Sequence, residues 1–273
     1  FIYIFLLLTM VSCTYKEYSY NNINHMVTNY DFKFNFKLFL SLVLISFIVG
    51  FRYEVGNDWL GYMWYYEDLK DVPFNFSFYK FEPGYFLFNK FFNYLGFSYQ
   101  ICFFFLTFFT WYFICRSVPP YLLAFFIFFL FCNEFFFRSM NGVRQFIAIA
   151  FLLNAIKYTV NRKFFHFFLS IFLGSLFHQT ISIFYILYFI PAKYFYNRLI
   201  MAFIFLGSLL LGNNTYIISE LKSYIEILSL YLDFGASYVE GYIYRVDRFF
   251  LAEEISLGLG YYFIIISNFL III

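Results

Sequence analysis

Charge is what this chain has least of. Aspartate, glutamate, lysine and arginine make up 12% of its 273 residues, where a soluble domain carries roughly a quarter. Hydrophobic residues make up 63%, and the mean hydropathy is +0.73. Such a deficit excludes a water-facing surface over most of the molecule. The net charge of +2 says little by itself, and no nucleic-acid partner is expected. Cysteine is scarce as well. Cys13, Cys102, Cys115 and Cys132 fall in or beside apolar segments, at spacings that match neither a metal site nor a redox pair. Gly-rich phosphate loops, HExxH and CxxC are missing, so no cofactor is expected, and a cytoplasmic nucleotide site would have little polar chain to build it. No basic region precedes Phe1–Cys13, and KEYSY follows where small cleavage-site residues would stand, so this stretch reads as a span rather than a signal.

What is present is a series of hydrophobic runs broken by short polar punctuation. They lie at about 1–15, 34–51, 99–115, 119–137, 143–160, 164–177, 179–191, 199–217 and 256–273. The expected fold is all-α: a polytopic transmembrane bundle of about nine segments, forming a single integral-membrane domain over 1–273. A first residue that is not Met and a last stretch of IIISNFLIII predict a fragment cut at both ends. The 49 Phe and 28 Tyr fill space, since bulky aromatics are acceptable to lipid.

The charges, though few, are sorted. If the loop 16–33 is cytoplasmic, alternation of the runs puts Arg116, Arg162, Lys163, Lys193 and Arg198 on the same side, as the positive-inside rule requires. Most acids then fall on the other side, in long polar loops at about 52–98 and 218–255, where chemistry is expected. The runs 164–177 and 179–191 are each too short for a full span, and both have basic flanks. They predict a hairpin with its turn near Phe177-His178-Gln179, recessed in a protein-lined or wet cavity.

Four clusters carry candidate chemistry. In FRYEVGNDWLGY, Arg52 follows a lipid-like run, and a tight turn at Gly56-Asn57 would fold Asp58 back toward it, with Tyr62 close behind. In FRSMNGVRQFIAIA, a helix beginning near Arg138 would place Arg138, Asn141 and Arg144 or Gln145 on one stripe; otherwise Asn141 is the N-cap and Arg144 lies in the first turn. A charge near the bilayer centre costs about 2.5 to 3.5 kcal/mol, so Arg144 should face the bundle and a partner. Arg52 and Arg144 together suggest an anion clamp, because guanidiniums bind phosphate oxygens bidentately; ion pairs of Arg144 with Glu134 or Asp58 are the plainer reading. In KFEPGYFLFNKFF, Glu82 precedes a Pro83-Gly84 turn and an amphipathic stretch. In GSLFHQTIS, His178 sits at the hairpin turn, a context that His25 and His166 lack.

RYEVGNDWLGY, EPGY, NGVRQFIAIA and LFHQT, in this order and with these runs between them, resemble the EpsG family, the O-antigen-polymerase-like proteins of bacterial exopolysaccharide clusters. The resemblance covers about Phe34 to Pro191. It implies a multi-pass protein of the bacterial cytoplasmic membrane that joins oligosaccharide units carried on undecaprenyl diphosphate at the outer face, alongside a flippase and a chain-length regulator. The expected reaction is inverting glycosyl transfer. Arg52 and Arg144 would stabilise the leaving diphosphate, and His178 or Glu82 would serve as general base, the imidazole being favoured by its ordinary pKa of about 6.5. Asp58 would orient Arg52 or bond a sugar hydroxyl, and Tyr62, Arg138, Asn141 and Gln145 would contact substrate. No metal is required, although Glu54, Asp58 and Glu82 together are the set that would hold Mg²⁺. A flippase for the same lipid and a membrane O-acetyltransferase are the alternatives.

Overall fold

The computed structural model describes residues 2–15, 35–70, 72, 81–190 and 198–212, and every regular element among them is helical. The loops 16–33 and 218–255, His25, Lys193 and the run 256–273 lie outside the described residues. Two compact units divide the chain, Phe1–Ile190 and Pro191–Ile273. Within the second, the described element is the helix Arg198–Gly212.

In the first unit the helices are α1 (Ile2–Thr14), α2 (Phe36–Gly50), α3 (Trp59–Asp68), α4 (Pro83–Tyr94), α5 (Tyr99–Ser117), α6 (Pro120–Cys132), α7 (Phe135–Asn141), α8 (Val143–Val160) and α9 (Phe164–Ser175), followed by a 3₁₀ helix, Gln179–Phe189. Of these, α5 is long and apolar enough to cross a membrane, and α6 with α7 would supply another if that pair, bent by 65°, is one span. α1, α2, α9 and the 3₁₀ helix are apolar but shorter. Of the about nine hydrophobic segments expected, two of them too short for a full span, the described residues show an all-helical bundle with one or two helices of spanning length. One cause is visible within the run 119–137. Asn133 donates its side-chain amide to the Phe129 carbonyl at 3.1 Å, Glu134 takes φ +60°, and the helix breaks between α6 and α7.

The remaining helices follow from local chemistry. The Asn35 side chain accepts from the Leu38 N–H at 2.8 Å and caps α2. Leu38, Leu42, Ile45 and Val49 then recur at helical spacing and bury one face. At its far end α2 approaches α5 so closely that a Cβ on Gly50 would lie 2.7 Å from the Phe104 Cα. Gly50→Leu is expected to destabilise the fold by about 1–3 kcal/mol through overpacking. Gly61, a helical glycine with open space around it, should tolerate or gain from alanine. Thermal unfolding of the two purified variants checks the contrast.

α5 and α8 begin at one end of the unit: Tyr99 packs 5.8 Å from Trp59, the Trp59 indole donates to the Arg52 carbonyl, and Arg52 reaches Met140 just before α8. Their last turns, with Arg116 and Lys157, finish at the other end. α9 returns antiparallel to α8, with His166 beside Tyr158 and Gly174 against Phe151. The expected hairpin is present. Phe168 stacks on Tyr185 at 5.1 Å, and Arg162 closes the open end by donating to Tyr188 at 2.6 Å and Ile190 at 3.2 Å. At about 1.5 Å per residue α9 rises about 18 Å, and the 3₁₀ arm, at about 2.0 Å, about 22 Å. Both fall short of the roughly 30 Å of a hydrocarbon core.

Candidate functional site

The turn after α2 forms where Gly56-Asn57 predicts it, with Gly56 at φ +98° and the Trp59 N–H bonded to the Gly56 carbonyl. Gly56 is needed twice over, because a Cβ there would also lie 2.4 Å from the Asn141 side-chain oxygen. Arg52 does not meet Asp58, and no carboxylate pairs with it among the described residues. Instead its Nε donates to Val55 at 3.1 Å, Nη1 to Val49 at 2.8 Å and Nη2 to Met140 at 2.6 Å. The side chain is buried, and burial brings its pKa down to about 10, against the opposing pull of Tyr62 and Tyr85. Its fork thus ties the end of α2 to its own turn and to the end of α7.

Glu82 is the meeting point of the other candidates. One carboxylate oxygen pairs with Arg144, while the other lies 3.1 Å from His178 Nδ1 and accepts from the Gln179 N–H at 3.4 Å. Three elements supply these groups. Glu82 is the N-cap residue of α4, with Pro83 in the first turn where its missing N–H costs nothing. Arg144 lies in the first turn of α8, whose N-cap is Gly142 rather than Asn141. His178 lies at the hairpin turn. The backbone locks the arrangement: Gly84 and Tyr85 both donate N–H to the Leu176 carbonyl, at 2.7 and 3.3 Å, and a Cβ on Gly84 would stand 2.7 Å from that oxygen. Phe81 covers the guanidinium of Arg144 at 3.9 Å, with Tyr85 at 5.8 Å.

Burial opposes charge on Glu82, yet the His178 hydrogen bond, its own N–H, Arg144 and the Gln179 N–H outweigh it and hold the carboxyl below its ordinary 4.5. A carboxyl depressed on folding stabilises fully above its unfolded value, and that stabilisation is lost as pH falls through the folded one. Wild type and Glu82→Gln should therefore differ in thermal midpoint at neutral pH and converge in acid, below pH 4.5. A difference that stays constant with pH would remove the carboxylate from the explanation. Tyr62 is raised by burial, with Arg144 opposing from the next position in the site.

The other residues expected here are placed differently. Arg138 is exposed and pairs with Glu134 at 3.4 Å. Asn141 packs on Gly56 with its carbonyl oxygen buried and unpartnered, and Asp58 is exposed before α3. Gln145 is exposed one residue beyond Arg144, with its amide oxygen near Gly142. Among the described residues no three His, Cys, Asp or Glu gather to hold a metal ion, so Glu54, Asp58 and Glu82 do not form the set considered for Mg²⁺. Phe81 and the Leu176 carbonyl were not anticipated. Phe81 adjoins Glu82 in the quoted KFEPGY, whereas nothing in the residue types marks the carbonyl.

The EpsG family model matches residues 35–273 of the chain, a stretch that includes Arg52, Glu82, Arg144 and His178. No curated protein and no solved structure matches it.

Proposed function

The chain belongs to the EpsG family, a family of membrane proteins linked to polysaccharide polymerisation, and from that premise we propose that it joins undecaprenyl-diphosphate-linked oligosaccharides by inverting glycosyl transfer. The reaction takes place at the outer face of the bacterial cytoplasmic membrane, in a multi-pass protein whose two ends differ in charge: Arg116, Lys157, Arg162 and Lys163 stand opposite the end that carries Glu82, Arg144 and His178.

The observation that supports this reading best is the division of the Glu82 carboxylate between a guanidinium and an imidazole. With the Nδ1 proton donated to Glu82, His178 presents the Nε2 lone pair, the arrangement by which a carboxylate fixes a base. The acceptor hydroxyl oxygen attacks the anomeric carbon and gives its proton to Nε2. The bond from that carbon to the diphosphate breaks with its electron pair on the diphosphate oxygen. Arg144, whose charge lies where that negative charge grows, stabilises the leaving group, and Glu82 stabilises the imidazolium left behind. Between the two bases considered, this geometry favours His178 and makes Glu82 its orienter. Tyr62, Asp58 and Gln145 contact sugar hydroxyls. Arg52 acts by positioning α7 and thereby the start of α8.

Complementation of a strain lacking this gene tests the proposal. Arg144→Ala and His178→Ala, at matched expression, are each expected to reduce polymer at least a hundredfold, since one lost stabilising donor costs about 3 kcal/mol, and single units should accumulate on the outer leaflet. Accumulation on the inner leaflet would identify a transporter, and normal polymer in both variants would refute the polymerase.

A further inference from the structure

Tyr65, on α3, stands in the wall of this site without a role so far. It is 6% exposed, stacks on Tyr85 at 5.7 Å and meets Phe81 edge-on at 4.6 Å, and Phe81 in turn lies against Arg144. Its hydroxyl is buried with no hydrogen-bond partner, and so is Arg144 Nε. Buried polar groups are rarely left unpaired, and these two, with the Tyr85 hydroxyl as a third, occur around one guanidinium. Both are donors. A guanidinium has no acceptor, and burial pushes the Tyr65 hydroxyl up to about 12 even with the Arg144 charge opposing, so it keeps its proton. An oxygen anion would accept from both of these donors beside a guanidinium.

We infer that Tyr65 is a direct ligand of the substrate's diphosphate, its hydroxyl and the Arg144 Nε–H donating to the same phosphate group. Phe81 packs on both side chains and holds them side by side. The inference rests on the proposed function for the identity of the anion, while the requirement for an acceptor comes from the unpaired donors themselves.

Tyr65→Phe removes the hydroxyl alone. If that hydroxyl is idle, losing it leaves stability unchanged or improved and binding untouched, because an unpaired buried polar group is a liability. The test measures equilibrium binding of farnesyl diphosphate to the full chain in detergent, with farnesol and inorganic pyrophosphate as the tail-only and headgroup-only controls. Tyr65→Phe is expected to raise Kd for farnesyl diphosphate about tenfold or more, the usual effect of losing a hydrogen bond to a charged group. Its thermal midpoint should equal or exceed that of wild type, and farnesol binding should not change. Wild-type affinity in Tyr65→Phe, alongside weakened binding in Arg144→Gln, overturns the assignment of Tyr65 alone. If wild type binds farnesyl diphosphate no better than farnesol, the assignment and the proposed polymerase fall together. Binding of pyrophosphate that matches farnesyl diphosphate, and weakens equally in Tyr65→Phe, supports the ligand role with the headgroup as its source.

Discussion

Glutamine in place of Glu82 is expected to slow polymerisation about 10⁴-fold, the effect seen when the carboxylate that fixes a catalytic histidine becomes an amide. The side chain keeps its size but loses its charge and one of its two acceptors. If the amide oxygen faces Arg144, the NH₂ faces His178 Nδ1, which must then accept, leaving the proton on Nε2 where the base's lone pair is needed. If the amide is reversed, its donor faces the Arg144 guanidinium, and the positive charge stands unpaired. Neither orientation serves both partners, as Glu82 does with its two oxygens. Glu82→Asp keeps the charge but, shorter by one methylene, cannot span the two, and should fall between. Polymer yield in membranes containing each variant is the measurement; wild-type yield from Glu82→Gln would end this account of the site.

Arg52→Leu should act on a different quantity. The guanidinium answers three carbonyls, of Val49, Val55 and Met140, and is 7% exposed. Removing it strands the buried Val49 and Met140 acceptors, each costing about 1–3 kcal/mol, so a loss of about 3–5 kcal/mol is expected. That is a large share of a typical folding free energy of about 5–15 kcal/mol. Lysine presents one ammonium where arginine presents a planar fork and should recover only part of it. The expected signs are a lower thermal midpoint and a smaller monodisperse fraction after detergent extraction, neither of which Arg144→Ala should show to the same degree. If Arg52→Leu instead folds like wild type and loses polymer, Arg52 contacts substrate directly.

These two arginines mark how far residue types and spacing carry. Helical period and the cost of burying charge are local properties, and they suffice for α2, for the turn at Gly56-Asn57, for the start of α8 near Arg144 and for the hairpin that basic flanks imply. The partners of a guanidinium are another matter. Arg52 and Arg144 both stand at helix ends, yet one is taken up by backbone oxygens and the other by a carboxylate 62 residues away, because packing decides which acceptors arrive. The bend at Asn133-Glu134 and the 3₁₀ arm escaped for a related reason: an apolar run reads alike whether it is straight, broken or overwound, and its hydrogen-bond register depends on neighbours. Glu82 was placed among the candidates by its Pro-Gly turn, but its sharing between Arg144 and His178 depends on the Leu176 carbonyl, which has no signature in residue type.

The contact between Glu82 and the Gln179 N–H joins positions 97 apart in the chain, and this sets an order of events during biosynthesis. A ribosome delivers the acid first, the arginine some sixty residues later and the imidazole last, so while residues 83–143 are being added the carboxylate has neither neighbour. Any product ending before residue 178 holds an acid with no imidazole to complete it.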